Sequence, residues 1–266
     1  MTVKTGKPSK LPGTRPDGAR TESEASARVR EMFSRIAPRY DFLNHALSFS
    51  LDKLWRRRTA RKFRRVLRRT DARVLDLCCG TGDLTFAMEQ VRVHEIRDRG
   101  AHRFPLIGSD FAQPMLDRAR RKATARSRST VFTTADALRL PFADESFDLV
   151  TSAFGFRNLV NYERGLREIA RVLKPGGEVG ILEFSEPGSG PMAGLFRFYF
   201  RNVLPHVGAA ISGNSEAYTY LPGSVARFPV PKEITALMQK VGFTSVHTTS
   251  WNFRSVVLHT ARLPQD

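Results

Sequence analysis

The run from Arg73 to Asp83, R-V-L-D-L-C-C-G-T-G-D, constrains this chain more than any other stretch. Val74 to Leu77 read as a strand buried on both faces of a parallel sheet, and a glycine turn follows at once. Gly80 and Gly82 let the backbone turn tightly and approach a ligand with no Cβ in the way. Asp83 then falls in the first turn of a helix, so the strand hands a small ligand to a helix N-terminus. The dinucleotide fingerprint G-x-G-x-x-G would need a third glycine where Thr85 stands. The carboxylate of Asp76 beside the turn would repel a pyrophosphate but suits an ammonium or sulfonium charge. On these residues alone a methyl-donor site is favoured, with a degenerate dinucleotide site still open.

At 266 residues the chain is long enough for one α/β domain with a full core. No apolar run approaches the ~18 residues of a membrane span. The only cysteines, Cys78 and Cys79, are adjacent; a vicinal disulfide would be strained and a metal site would lack partners. They read as small buried thiols in a reducing cytoplasm, and no metal is expected. Residues 1–25 are rich in Lys, Pro, Gly and Ser and lack the apolar segment of a secretory signal, so they read as a disordered basic tail. Residues 26–266 then form a single domain.

The formal charge of +17, from 43 Lys and Arg against 26 Asp and Glu, implies attraction to something anionic. A helix is predicted over residues 26–36 and another over about 52–67, with Leu51, Trp55, Thr59, Phe63 and Leu67 on one face. The other faces carry Lys53, Arg56, Arg57, Arg58, Arg61, Lys62, Arg64, Arg65, Arg68 and Arg69, a basic amphipathic helix over 52–69. Anionic membrane and nucleic acid are rival partners for that face, and a merely solvated face is the bland reading.

After the glycine turn and its helix comes a polar segment, 92–103, read as a surface loop. A strand from Phe104 ends at Gly108-Ser109-Asp110, which puts Asp110 where doubly wound folds bind ribose hydroxyls; a helix-capping aspartate is its structural alternative. A helix over 114–125, strands over 130–134 and 147–152, a helix over 162–173 closed by Lys174-Pro175-Gly176-Gly177, and a strand over 178–184 follow. A helix over 231–241 and an antiparallel pair over 244–249 and 254–260 close the chain. Alternating strands and helices predict an α/β, doubly wound, mainly parallel sheet. The aromatic-rich stretch 188–230 is long enough to be a lid over a substrate.

The acidic strand end with Gly-Thr-Gly, the strand ending at Asp110, the Asp136-Ala137 pair and the Lys-Pro-Gly-Gly turn together resemble the class I S-adenosylmethionine-dependent methyltransferases. Three further segments resemble the ubiquinone and menaquinone biosynthesis C-methyltransferases, the demethylmenaquinone methyltransferase type. They are Tyr40-Asp41-Phe42-Leu43-Asn44 with Ser48 and Trp55; Arg171 to Gly177 through Glu183-Phe184-Ser185; and Phe154-Gly155-Phe156-Arg157-Asn158 with Ile211-Ser212-Gly213 and Glu216 to Pro222. Leu43 and Asp52 stand where the family has Met and His, and Ala153 where it often has Ser, a loss of one cofactor hydrogen bond on the order of 1 kcal/mol.

The resemblance implies a Rossmann-like, seven-stranded sheet, S-adenosylmethionine as cofactor and a reduced polyprenyl quinone as methyl acceptor. By family position Asp76, Gly80, Thr81, Gly82 and Ala153 would line the methionine part, Asp110 the ribose, and Asp136 with Ala137 the adenine. For Asp136 a loop Asx turn is the bland alternative. Arg157 would stabilise a developing phenolate and Asn158 would position the ring; Tyr40 and His206 are candidates for proton removal. The expected setting is cytoplasmic, peripheral at the inner face of the cytoplasmic membrane, with no nucleic acid bound and room for a homodimer. Methylation of RNA or another small molecule, and a non-catalytic cofactor-binding protein, are the competing functions.

Overall fold

The computed structural model describes residues 13–16, 18–95, 103–185, 194, 198, 202, 220 and 223–265. Helices α1 (Glu22–Ile36), α2 (Tyr40–Leu47), α3 (Leu51–Lys62) and α4 (Arg64–Leu67) precede the sheet. Then come β1 (Val74–Leu77), α5 (Asp83–Glu95), β2 (Ile107–Asp110), α6 (Gln113–Ala125), β3 (Val131–Thr134), β4 (Phe147–Ala153), α7 (Tyr162–Val172) and β5 (Leu173–Phe184). Helix α8 (Pro231–Lys240) and strands β6 (Thr244–Trp251) and β7 (Val256–Arg262) complete the fold.

The seven strands lie in the order β3-β2-β1-β4-β5-β7-β6, parallel except for β7, which runs antiparallel to both β5 and β6. The expected doubly wound sheet is therefore present, and the direction of winding reverses between β1 and β4. Crevices at such a switch point, beyond the carboxyl ends of the strands, are where these folds bind ligands.

All four residues of β1 are buried, and they alternate between two cores. Leu75 and Leu77 pack with Val150, Ile181, Leu166, Ile169 and Ile234, whereas Val74 packs with Leu149, Phe63, Leu67, Leu84 and Met88. Asp76 shares the parity of Val74 and so reaches toward α5, where the Thr85 hydroxyl meets it.

Four expectations need correction. Residues 13–25 are not a loose tail: Thr14 is buried, its amide donates to the Leu159 carbonyl at 2.8 Å, and Thr21 caps a helix that already starts at Glu22. Residues 1–12 lie outside the described residues. The basic helix breaks at Phe63, whose ring tip packs against β5 where Gly180 leaves room; a Cβ there would come within 2.5 Å of the ring. Arg92 does not start a surface loop. It is buried at the end of α5 and donates to the carbonyls of Ala72 (2.6 Å) and Phe104 (2.9 Å), joining the segments that lead into β1 and β2. The Lys174-to-Gly177 turn is a bulge within β5 rather than a break before it, because Leu173 pairs with Phe147 and Glu178 resumes the ladder at Leu149. Of the 188–230 stretch, only residues 194, 198, 202, 220 and 223–230 are described.

Candidate methyl-donor site

The turn after β1 is built from three left-handed residues, Cys78 (φ 53°), Gly80 (φ 56°) and Gly82 (φ 86°). The Gly80 amide donates to Asp110 Oδ2 at 2.9 Å, and the Ala112 amide donates to Asp110 Oδ1 at 2.9 Å. Asp110 thus ties the glycine turn to the end of β2. Burial raises its pKa while these backbone bonds pull the other way. An added Cβ on Gly80 would face only the Tyr40 ring, 3.8 Å away, so the space above the turn stays open.

Two cavities flank that turn and share Tyr40, Cys78 and Gly80 as a common wall. The larger, about 650 Å³, is walled by Asp110, Asp136, Ala137, Leu138, Phe154, Gly155 and Asn158, with Ser26, Phe33 and Tyr40 of α1 and α2 on the remaining side. The smaller, about 310 Å³, is walled by Arg56, Asp76, Thr81, Asp83 and Ala153.

Asp76 accepts hydrogen bonds from Thr85 Oγ1 (2.5 Å) and Thr151 Oγ1 (3.0 Å), yet burial pushes its pKa up to about 7. Arg56, which shares the smaller cavity with Asp76, offsets only part of that burial cost. Tyr40 forms an edge-on pair with Phe33, and burial raises its phenol above the ordinary value, with Arg56 opposing that shift. It is therefore a neutral phenol at neutral pH.

The structure thus brings together Tyr40, Asp76, Gly80, Thr81, Asp110, Asp136, Ala137, Ala153 and Asn158 around the two cavities. Asp136 also makes the Asx turn, accepting from the Leu138 amide at 2.9 Å, so its structural alternative is present beside its cavity position. Two residues depart from expectation. Gly82 lines neither cavity; its Cα is covered by Phe86 and Phe132, where a Cβ would approach to 3.0 Å.

Arg157 also lines neither: its Nη1 donates to Glu183 Oε1 at 2.8 Å and to the Phe154 carbonyl, its Nε to Ser224 at 3.3 Å, and the pair is buried. Such a guanidinium is committed to a carboxylate across β4 and β5, so it supports Phe154–Asn158 from behind rather than reaching into the cavity. Asn158 Oδ1 accepts from the Tyr220 hydroxyl at 3.1 Å. His206 and the Ile211–Gly213 and 216–219 segments lie outside the described residues.

A charged cluster went unseen in the sequence. Arg56, counted among the surface cations, is buried against Asp52 and lies over the Phe154 ring at 5.3 Å. Asp83 lies 4.0 Å from Arg56 and 2.5 Å from Lys122, and His45 Nδ1 donates to the Asp52 carboxylate at 2.8 Å. His45, Asp52 and Asp83 are metal-ligand types in reach of one another, but Arg56 and Lys122 already neutralise both carboxylates, and a divalent ion would meet two cations. The Asp52–Arg56 spacing of four residues was the available signal.

The model of the ubiE/COQ5 methyltransferase family matches residues 21–262. The chain belongs to that family. It is 50% identical over 215 residues to the demethylmenaquinone methyltransferase of Deinococcus radiodurans, covering 81% of this chain and 84% of that one. It is 47% identical over 233 residues to the enzyme of the same name from Thermus thermophilus, covering 88% and 100%. In fold it is similar to a SAM-dependent methyltransferase from Aquifex aeolicus, at 15% identity and a TM-score of 0.51 over 72% of this chain and 82% of that one. This methyltransferase therefore uses S-adenosylmethionine. The cleft suits it: Gly80 is open at the switch point, and the carboxylate of Asp76, its charge made costly by burial and only partly offset by Arg56, favours a cationic donor.

Proposed function

We propose that this methyltransferase adds a methyl group to a ring carbon of a reduced polyprenyl quinone precursor, with demethylmenaquinol as the acceptor. The observation carrying the choice is that the relatives at 50% and 47% identity bear the demethylmenaquinone name, whereas those named for both ubiquinone and menaquinone stand at 42% and below.

When bound, S-adenosylmethionine supplies an electrophilic methyl on a sulfonium. Asp110 holds the ribose hydroxyls, Asp136 and Ala137 flank the adenine, and Asp76, Gly80 and Thr81 form the methionine end. The acceptor is an electron-rich hydroquinone. Loss of a phenolic proton makes its ortho carbon nucleophilic, so that a carbon–carbon bond forms as the carbon–sulfur bond breaks. The ring C–H proton then leaves, aromaticity returns and the phenolate oxygen takes a proton back, so that one proton is released overall. Asn158 orients the ring through its amide. Tyr40, a neutral phenol, donates a hydrogen bond to the developing phenolate, while Arg157, paired with Glu183, holds the Phe154–Asn158 segment from behind. His206 is the sequence's candidate to take the proton.

The acceptor's isoprenoid tail belongs in a bilayer. Lys53, Arg57, Arg58, Arg61, Lys62, Arg64, Arg65 and Arg68 of α3 and α4 are exposed, and among the described residues no carboxylate pairs with them. At about 1 kcal/mol per cation near an anionic surface, they support peripheral docking at the cytoplasmic leaflet. The reading is tested by incubating the protein with methyl-labelled donor and, separately, reduced demethylmenaquinone and ubiquinone-precursor analogues. Label entering the naphthoquinol supports it. Label in neither, or only in the ubiquinone precursor, refutes it.

A further inference from the structure

The larger cavity has a sheet side and a helix side, and the helix side is Ser26, Phe33 and Tyr40 of α1 and α2. These helices precede the sheet in the chain, so something must fix them against the glycine turn. Part of that hold is apolar: Phe33, Ile36, Ala37 and Tyr40 pack on Ala112 and Met115. A polar part converges on one ammonium. Lys122 Nζ, projecting from α6, donates to Asp41 Oδ2 at 3.2 Å, to Thr81 Oγ1 at 3.2 Å and to Asp83 Oδ1 at 2.5 Å. The Thr81 hydroxyl donates in turn to Asp41. A lysine has three donors, and here each has an acceptor on a different element: α2, the glycine turn and the start of α5.

We propose that Lys122 is a positioning residue of the methyl-donor site, holding Tyr40 and Thr81 in place through Asp41. It lines neither cavity, and neither does Asp41. Asp41 follows Tyr40 in α2, so locking Asp41 to the turn sets where the Tyr40 ring stands over Gly80. Without the ammonium, Asp41 and Asp83 lose the cation they share, the repulsion between them is no longer offset, and the helix side lifts from the turn. Apparent donor affinity then falls by the fraction of molecules left closed, while a saturating donor restores the closed state.

This inference rests on the donor site and not on the identity of the acceptor. Its test is therefore an acceptor-free calorimetric titration with S-adenosylhomocysteine. Lys122→Met should raise the dissociation constant about ten-fold, the scale of one charge-assisted hydrogen bond. Lys122→Arg should recover most of that loss. Asp41→Asn should weaken binding comparably, and the Lys122→Met/Asp41→Asn double variant should lose no more than the worse single one, because both break one link. Wild-type affinity in folded Lys122→Met, or additive losses in the double variant, overturns the proposal. If Lys122→Met does not fold, the near-isosteric Asp41→Asn decides alone, wild-type affinity overturning it.

Discussion

Replacing Asp76 by Asn isolates the cost of burying a charge beside the glycine turn. Asp76 is 1% exposed, and burial lifts its pKa from 3.8 to about 7 against the pull of two threonine hydroxyls. Its folded pKa thus exceeds its unfolded one, so the native state binds the proton more tightly. Stability is greatest below the unfolded value and declines as pH rises toward the folded value, levelling off above it. Between pH 5 and pH 8 that decline amounts to about 2.5 kcal/mol for a shift of this size. Asn carries no such term. It can accept from one threonine and donate to the other, so what the exchange costs in hydrogen bonding is independent of pH. In urea titrations of the ligand-free protein, Asp76→Asn should therefore gain about 2.5 kcal/mol relative to wild type on going from pH 5 to pH 8. S-adenosylmethionine, a cation, should shrink that gap by favouring the ionised carboxylate of the wild type. Parallel stability curves for the two proteins across this window would refute the reasoning.

The other predictions concern a buried pair and a surface. Arg157→Ala should cost about 3–5 kcal/mol in urea unfolding because Glu183, 1% exposed, is left uncompensated, and Arg157→Met/Glu183→Leu should restore most of it. A loss confined to turnover with stability intact would instead put the guanidinium in the chemistry. Sedimentation with anionic vesicles should retain the protein and should weaken when Arg57, Arg61 and Arg65 become Gln; retention by RNA but not by vesicles would remove the membrane reading.

What the sequence disclosed follows from how local each signal is. The donor turn was legible because strand, glycines and Asp76 fall within eleven consecutive residues, and Asp110 because it ends the next strand. The sheet was legible because burial on both faces leaves unbroken apolar runs. Arg56 was misplaced because ten cations in one segment read as a solvated face, while the helix turns this one of them inward onto Asp52. Arg157 was misjudged for a different reason: its partner, Glu183, lies on the neighbouring strand, 26 positions away. Lys122 and Asp41 are 81 positions apart and meet only once α6 and the N-terminal helices pack. The packed stretch 13–20 escaped notice because its contacts are backbone and small side chains, which composition cannot tell from a loose tail.

The two thiols in the turn have a consequence of their own. A sulfonium methyl donor is an alkylating agent, and Cys78 forms part of both cavity walls, so a donor held there would set a reactive methyl beside the protein's own sulfur. Thiolate, not thiol, is the nucleophile. Burial and the neighbouring carboxylates of Asp110 and Asp76 hold both Cys78 and Cys79 well above their ordinary pKa, hence protonated and inert. The acidic lining that welcomes a cationic reagent thereby also protects the site from being methylated by it.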